Sequence, residues 1–339
     1  MNTDQGIASH SWNSDRTQVA IATNSNLIEI YQVRGDTWEK KHTLKEHHQQ
    51  VSAIDWHSAT NRIISSSHDR SVFVWDFTTI WKPALVSFYQ TRGVLDVSWS
   101  NKGDKFVAGT GSKNIGVGFW DDNLSMWNTK RIKLFASSVT SVRFDMTGLV
   151  IAAGSTDGTC KVISTYLDNV DLSVVEGLRF SGVRSFGDVM YVIETKTWVN
   201  SICWTGDANW IAVATHDNKV YFSNFVGDQK VEISGKPIMS VCFVTDNKLI
   251  GGGFDNRPYV FDRSGETWGN AVAIQGGEEE KAGNSVQNRV KMLSKGFDGK
   301  KDRDGMASKH KNTISCIRKI ENGRFSTSDI TGGLHLWRI

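Results

Sequence analysis

Seven short phrases pace this chain, each opening on a branched aliphatic residue and closing five residues later. They are Ile7–Trp12 (IASHSW), Val51–Trp56 (VSAIDW), Val94–Trp99 (VLDVSW), Val139–Phe144 (VTSVRF), Val199–Trp204 (VNSICW), Ile238–Phe243 (IMSVCF) and Ile314–Lys319 (ISCIRK). Their end positions step by 44, 43, 45, 60, 39 and 76 residues. A period of about 40–45 residues is that of one four-stranded propeller blade. The chain therefore reads as all-β: a single seven-bladed β-propeller over residues 1–339, with extra residues before the fifth and seventh phrases. Blades that close a ring share one core, so a second domain is not required by the length.

The clearest repeat is Glu46–Asp76, EHHQQVSAIDWHSATNRIISSSHDRSVFVWD. It holds three alternating runs, Val51–Trp56, Arg62–Ser66 and Ser71–Trp75. Alternation places Val72 and Val74 on one face of the third run, with Phe73 and Trp75 on the other. Between the runs, Ser58–Asn61 and His68–Arg70 supply turn chemistry. An acid recurs in register: Asp69, Asp157, Asp217 and Asp255 each stand six residues before Trp75, Ile163, Ser223 and Phe261. Ser25, Lys113 and Thr331 hold that position in the other blades.

Composition excludes several classes. The formal net charge of +3 does not point to nucleic acid. The four cysteines (Cys160, Cys203, Cys242 and Cys316) form no C-x-x-C pair, which argues against zinc and thioredoxin-like chemistry. They read as reduced, packed cysteines of a cytosolic protein. The start, MNTDQG, has neither a basic nor an apolar signal region. No apolar run approaches the ~18 residues of a membrane span. Three prolines against 31 glycines suit many strands joined by tight turns. Only Met1–Gly6 precede the first phrase, and the last strand, Leu334–Arg338, is followed by Ile339 alone. The strand closing the ring is thus expected to be brief, leaving an exposed or partner-covered edge on blade seven.

Two stretches depart from the repeat. The first, between Val162 and Val199, adds roughly 16 residues to a ~44-residue blade. Val189–Glu194 reads as that blade's outer strand and Thr165–Gly187 as a surface loop. Leu178, Phe180 and Phe186 are its candidate subunit contacts. The second, about residues 275–309, lies between blades six and seven. In it Val286, Val290, Leu293 and Phe297 recur at i, i+4, i+7 and i+11, within roughly a 60° arc at 100° per residue. Asn284 or Ser285 can cap this helix and Gly296 can stop it. From Lys281 to Lys311 nine basic residues face three acids, +6 in all, so the remainder of the chain is net −3. Arg289, Lys291, Lys295, Lys300 and Lys301 are among the nine. A short basic amphipathic helix suits an acidic protein partner. About ten residues are too few to hold a membrane alone.

The Trp-Asp ending of the third run resembles the WD40 family. That resemblance implies a hydrogen-bonded set of His47, Ser65 or Ser67, Asp69 and Trp75 in blade two. In blade seven it implies His310, Thr327 and Trp337, with Thr331 in place of the acid. A His/Ser/Asp set could also be a hydrolase triad. However, partial copies recur at the blade period, and no G-x-S-x-G elbow is present.

Further phrases narrow the resemblance. SWNSDRTQVAI (Ser11–Ile21), LKEHHQQVSAIDW (Leu44–Trp56), NRIISSSHDRSVFVW (Asn61–Trp75), WKP (Trp81–Pro83) and HKNTIS (His310–Ser315) are similar to the WD-repeat subunit 1 family of the actin-related protein 2/3 complex. One departure is Trp337-Arg338, where the family has Trp-Asp. The resemblance implies a cytoplasmic, non-catalytic scaffold without cofactor or metal, in an assembly of the actin cytoskeleton. That assembly has seven subunits and nucleates a new actin filament on the side of an old one. The implied partners are the fourth and fifth subunits, the actin filament and acidic activator tails, with no nucleic acid or membrane. The insertion would supply Val286, Val290, Leu293 and Phe297 as apolar anchors, and Arg289, Lys291, Lys295, Lys300 and Lys301 as charge. The alternative is a free-standing WD40 recognition module of the adaptor type.

Overall fold

A computed structural model describes residues 1–88, 90–172, 179–274, 308–321 and 323–339. The seven phrases form the innermost strands of seven antiparallel sheets: Ile7–Trp12, Val51–Trp56, Val94–Trp99, Val139–Phe144, Val199–Trp204, Ile238–Thr245 and Ile314–Glu321. Each inner strand lies beside the next, and the first lies beside the last, so the ring closes. The seven-bladed all-β propeller expected from the period is therefore present. Among the described residues there is no helix.

Apolar burial follows from strand alternation. Val72 and Val74 face blade three and pack with Val94, Trp99 and Phe106. Trp75, from the opposite face of the same strand, packs with Ala20, Ile28 and Ile30 of blade one. A blade sheet is thus apolar on both faces, and each junction between blades is a core of its own.

A second device links the blades. In every blade the ladder between the inner strand and its neighbour slips at the second residue of the phrase. Such a bulge leaves one residue unpaired and re-aims its side chain. Where that residue is polar, it reaches the next blade. The Ser52 hydroxyl donates to the Val94 carbonyl at 2.7 Å, Thr140 to Val199 at 2.5 Å, and Ser315 to Ile7 across the closing junction at 2.6 Å. The third residue accepts in turn. Ser141, Ser201 and Ser240 take the amides of Ile202, Val241 and Ile317, and Asp96 takes that of Val142. Blade two has Ala53 there, and its Asp55 instead accepts from the Trp99 amide at 3.0 Å.

The closing blade differs from most others. Blade seven has three strands, Ile314–Glu321, Arg324–Asp329 and Leu334–Arg338. Its fourth is a single bridge, Asn2 to Gly333, with Met1 and Leu334 exchanging backbone hydrogen bonds and the Thr3 amide donating to Gly332. The brief closing segment is as expected. Blade six also departs, because its outer edge is split into Thr267–Trp268 and Val272–Ala273. There Trp268 is buried and stacks on Phe222 at 4.2 Å.

The first interruption is a built part of the molecule. Its outer strand runs Phe186–Glu194, three residues longer than expected. Phe180 is not a surface contact: it is buried against Val150, Val162 and Val183, edge-on to Trp204 and Phe225. Phe186 is half-buried against the core shared by blades three and four. Leu178 lies outside the described residues. The fully buried Lys105 ammonium reaches across from blade three to Asp171 at 2.6 Å, which fastens the loop.

Candidate functional site

The polar set of blade two forms as a chain. His47 precedes the inner strand, Ser65 lies on the second, Asp69 in the following turn and Trp75 on the third. His47 Nε2 meets Ser65 Oγ at 2.8 Å, Trp75 Nε1 donates to the same oxygen at 2.9 Å, and His47 Nδ1 lies 3.2 Å from Asp69 Oδ2. The strand member is therefore Ser65. Ser67 instead donates to the Gln49 carbonyl and caps the Asp69 amide. Burial pushes His47 below its ordinary range, against the pull of Asp69. Burial also works to raise the Asp69 carboxyl, but the Ser71 hydroxyl, the amides of His48 and Ser71, and His47 hold it down to about 2.

Blade seven holds the same chain with its acid moved. His310 Nε2 meets Thr327 Oγ1 at 2.5 Å, and Trp337 Nε1 donates to that hydroxyl at 2.6 Å. His310 Nδ1 meets Asp329 Oδ2 at 2.6 Å. Thr331 does not replace the acid; it donates through its amide and hydroxyl to Asp329 Oδ1. The missed residue is Asp329, eight positions before the tryptophan rather than six. It ends its strand, and its side chain turns back to the spot that Asp69 reaches from the turn. Burial opposes ionisation there, but His310, Thr331 and the Gly333 amide hold the carboxyl well below the usual range.

The other turn acids fix loops to blades. Asp157 accepts from the Ala136 amide at 2.9 Å, Asp255 from the Lys236 amide at 2.6 Å and Asp217 from the Thr197 hydroxyl at 3.0 Å. Each therefore ties its turn to the loop leading into the inner strand of its own blade.

These clusters cannot do hydrolytic chemistry as they stand. Ser65 and Thr327 are fully buried, and their hydroxyls are engaged by a histidine and a tryptophan. Donor atoms of His310, Asp329 and His335 lie within 4.8 Å of one another, a spacing that could suit a metal. Both ring nitrogens of His310 are already used by Thr327 and Asp329, which favours a packing role. The insertion residues Val286, Arg289, Val290, Lys291, Leu293, Lys295, Phe297, Lys300 and Lys301 lie outside the described residues.

The outer surface offers apolar groups on the rim. Ile80 and Leu85 of blade two, Leu124 and Met126 of blade three, and Val189 and Met190 of blade four are exposed. These positions belong to outer strands and the hairpins that feed them.

Ring, repeat and buried histidine chains together define a WD-repeat propeller. The WD domain, G-beta repeat family matches at residues 38–76, 130–164 and 187–222. Each matched stretch joins one blade's outer strand to the next blade's three inner strands, which is why the ring needs the N-terminal segment to close. Over the whole chain the likeness is closer. Actin-related protein 2/3 complex subunit 1B of Arabidopsis thaliana is 30% identical over 356 residues, covering 98% of this chain and 94% of the plant protein. Subunit 1A-A of Xenopus laevis is 30% identical over 98% of this chain and 93% of its own length. Subunit 1 of Schizosaccharomyces pombe is 24% identical over 97% and 96%. The chain belongs to the actin-related protein 2/3 complex subunit 1 family.

Proposed function

We propose that this protein is the non-catalytic WD-repeat scaffold of an actin-related protein 2/3 complex, which nucleates branched actin filaments in the cytoplasm. The observation that carries this reading is kinship over 98% of the chain with proteins named as subunit 1 of that complex. The physical design supports it. Hydrogen bonds between blades make a stiff ring, and buried polar chains leave no reactive group at the surface. A rim with exposed Ile80, Leu85, Leu124 and Met126 suits packing against other subunits, the fourth and fifth foremost.

The insertion of residues 275–309 is the part proposed to meet the mother filament and acidic activator tails. Its +6 charge would raise encounter rates with acidic surfaces. Val286, Val290, Leu293 and Phe297 would then add the short-range part of the affinity.

Affinity capture of the tagged full-length chain, followed by native mass spectrometry, tests the first reading. A stoichiometric seven-subunit assembly with two actin-related proteins is expected. A lone propeller, or one bound to ubiquitin-ligase components, would overturn it in favour of an adaptor. For the insertion, replacing Val290, Leu293 and Phe297 by Asp should leave the complex assembled and slow branching. Normal branching by that variant would remove the insertion from the mechanism.

A further inference from the structure

Between blades three and four a groove of about 760 Å³ opens on the loop-bearing face of the ring. Its walls are the loop entering blade three at Gln90, the turn Ser112–Asn114 and the segment from Arg131 to Ala136. Three cations stand in it: Lys113, Arg131 and Lys133, all exposed. None of the three is ion-paired among the described residues, and no acid lines the groove. Beneath the wall a fourth cation, Lys161, donates to the Leu134 carbonyl at 2.6 Å and sits 4.8 Å from the centre of the Phe135 ring. The groove is thus a concentrated positive field, while most of the chain outside the insertion is slightly acidic.

A second, independent observation lies in the wall itself. Gln90 carries a buried amide whose Oε1 and Nε2 both lack a hydrogen-bond partner among the described residues. Buried amides are rarely left so, and each exception calls for an explanation. The surroundings are ordered without it: the Ser112 hydroxyl accepts the Thr91 amide at 3.2 Å and the Arg92 amide at 2.9 Å, locking loop to turn. The groove is therefore preformed, which lowers the cost of binding.

The occupant must bring several negative charges, plus both a donor and an acceptor for one amide. A carboxylate peptide satisfies the charge, but the groove shows it little apolar surface, since Phe135 is buried. A compact phosphorylated polyol meets all the requirements: phosphoryl oxygens for the cations and for Nε2, and a hydroxyl to donate to Gln90 Oε1. We propose that this groove binds an inositol polyphosphate in its soluble form. Lys113, Arg131 and Lys133 hold its phosphates, and Gln90 reads the ring. The site is separate from the insertion and does not depend on its role.

The test is calorimetric titration of the intact assembly with inositol hexakisphosphate at low and physiological salt. Parallel titrations use a hexaglutamate peptide and vesicles bearing phosphatidylinositol bisphosphate. One saturable site per propeller is expected, weaker at the higher salt. Lys113→Gln, Arg131→Gln and Lys133→Gln should each weaken it about tenfold, the worth of one hydrogen bond to a charged group. Because the three side chains are exposed and unpaired, the variants should melt like the parent. Absence of a saturable site, or affinity unmoved by all three substitutions, would overturn the proposal. Equal affinity for hexaglutamate would overturn its phosphate chemistry, and binding confined to vesicles would overturn the soluble source.

Discussion

Blade two and blade seven carry the same chain of histidine, hydroxyl, carboxylate and tryptophan, yet they differ at three points. The carboxylate comes from the turn in blade two, at Asp69, and from the strand end in blade seven, at Asp329. The ring set edge-on over the histidine is Phe73 at 4.9 Å in blade two and His335 at 4.6 Å in blade seven. The outer strand is Trp81–Val86 in blade two and a single bridge in blade seven. The comparison teaches that the network is conserved as a set of positions in space. Backbone position along the strand is free to vary so long as an oxygen reaches the same nitrogen.

Four measurements would break or sharpen this comparison. The largest effect is expected at Asp329. Asp329→Ala leaves His310 Nδ1 and the amides of Thr331 and Gly333 without their acceptor. A loss of about 3 kcal/mol in chemical denaturation follows from breaking a buried, charge-assisted set. Thr331→Ala, at the position that matches Asp69 by count, should cost only about 0.5–1 kcal/mol. If the two costs came out reversed, the acid of blade seven would have been wrongly assigned.

Next come the tryptophans. Trp75→Phe and Trp337→Phe each remove one indole donor from a buried hydroxyl. Each should destabilise the fold by about 1–2 kcal/mol, with the two within error of each other. A much smaller cost at Trp337 would mean that the open blade tolerates repacking that blade two does not.

The third test uses acid. Burial and the neighbouring His310 pull His335 down to about 4 from an ordinary 6.5. The unfolded chain therefore takes up this proton first, so stability is full above pH 6.5 and declines as the pH falls towards 4. Asp69, held down to about 2, keeps its contribution until the pH drops below the ordinary 3.8, so the two windows are separable. Melting temperatures of His335→Phe, which copies blade two, should fall less between pH 6.5 and 4 than those of the parent. An unchanged slope would assign the acid sensitivity to another group, His47 foremost.

The smallest effect is local. In blade two Val74 pairs with Ala84 of the outer strand, whereas the corresponding Leu336 lies beyond the Asn2 bridge. Leu334 turns its amide outward to Met1, and the two-residue period turns that of Leu336 the same way. Hydrogen exchange should therefore be faster at Leu336 than at His335, Trp337 or Val74. Slow exchange at Leu336 in the isolated chain would show that the edge is covered.

Much of the fold was legible from the phrases themselves. All seven inner strands begin at the residue the repeat marks, because only an alternating apolar strand can serve both faces of a blade. The brief closing segment was legible from six polar residues ahead of Ile7. Less legible were the stitches between blades, although their signal stood in the third position of each phrase: Ser9, Ala53, Asp96, Ser141, Ser201, Ser240 and Cys316. Reading it requires knowing that the bulge lies one residue earlier.

The sequence by itself determined the number of blades, the strands that line the axis, and the four groups of blade two, since period and alternation are properties of the chain. Which carboxylate serves His310, whether Phe180 faces a partner or the core, and which cations gather around Gln90 were decided only by the tertiary structure. Each depends on distances between residues far apart in the chain, and those are fixed by how blades twist and pack rather than by the spacing of residues along a strand.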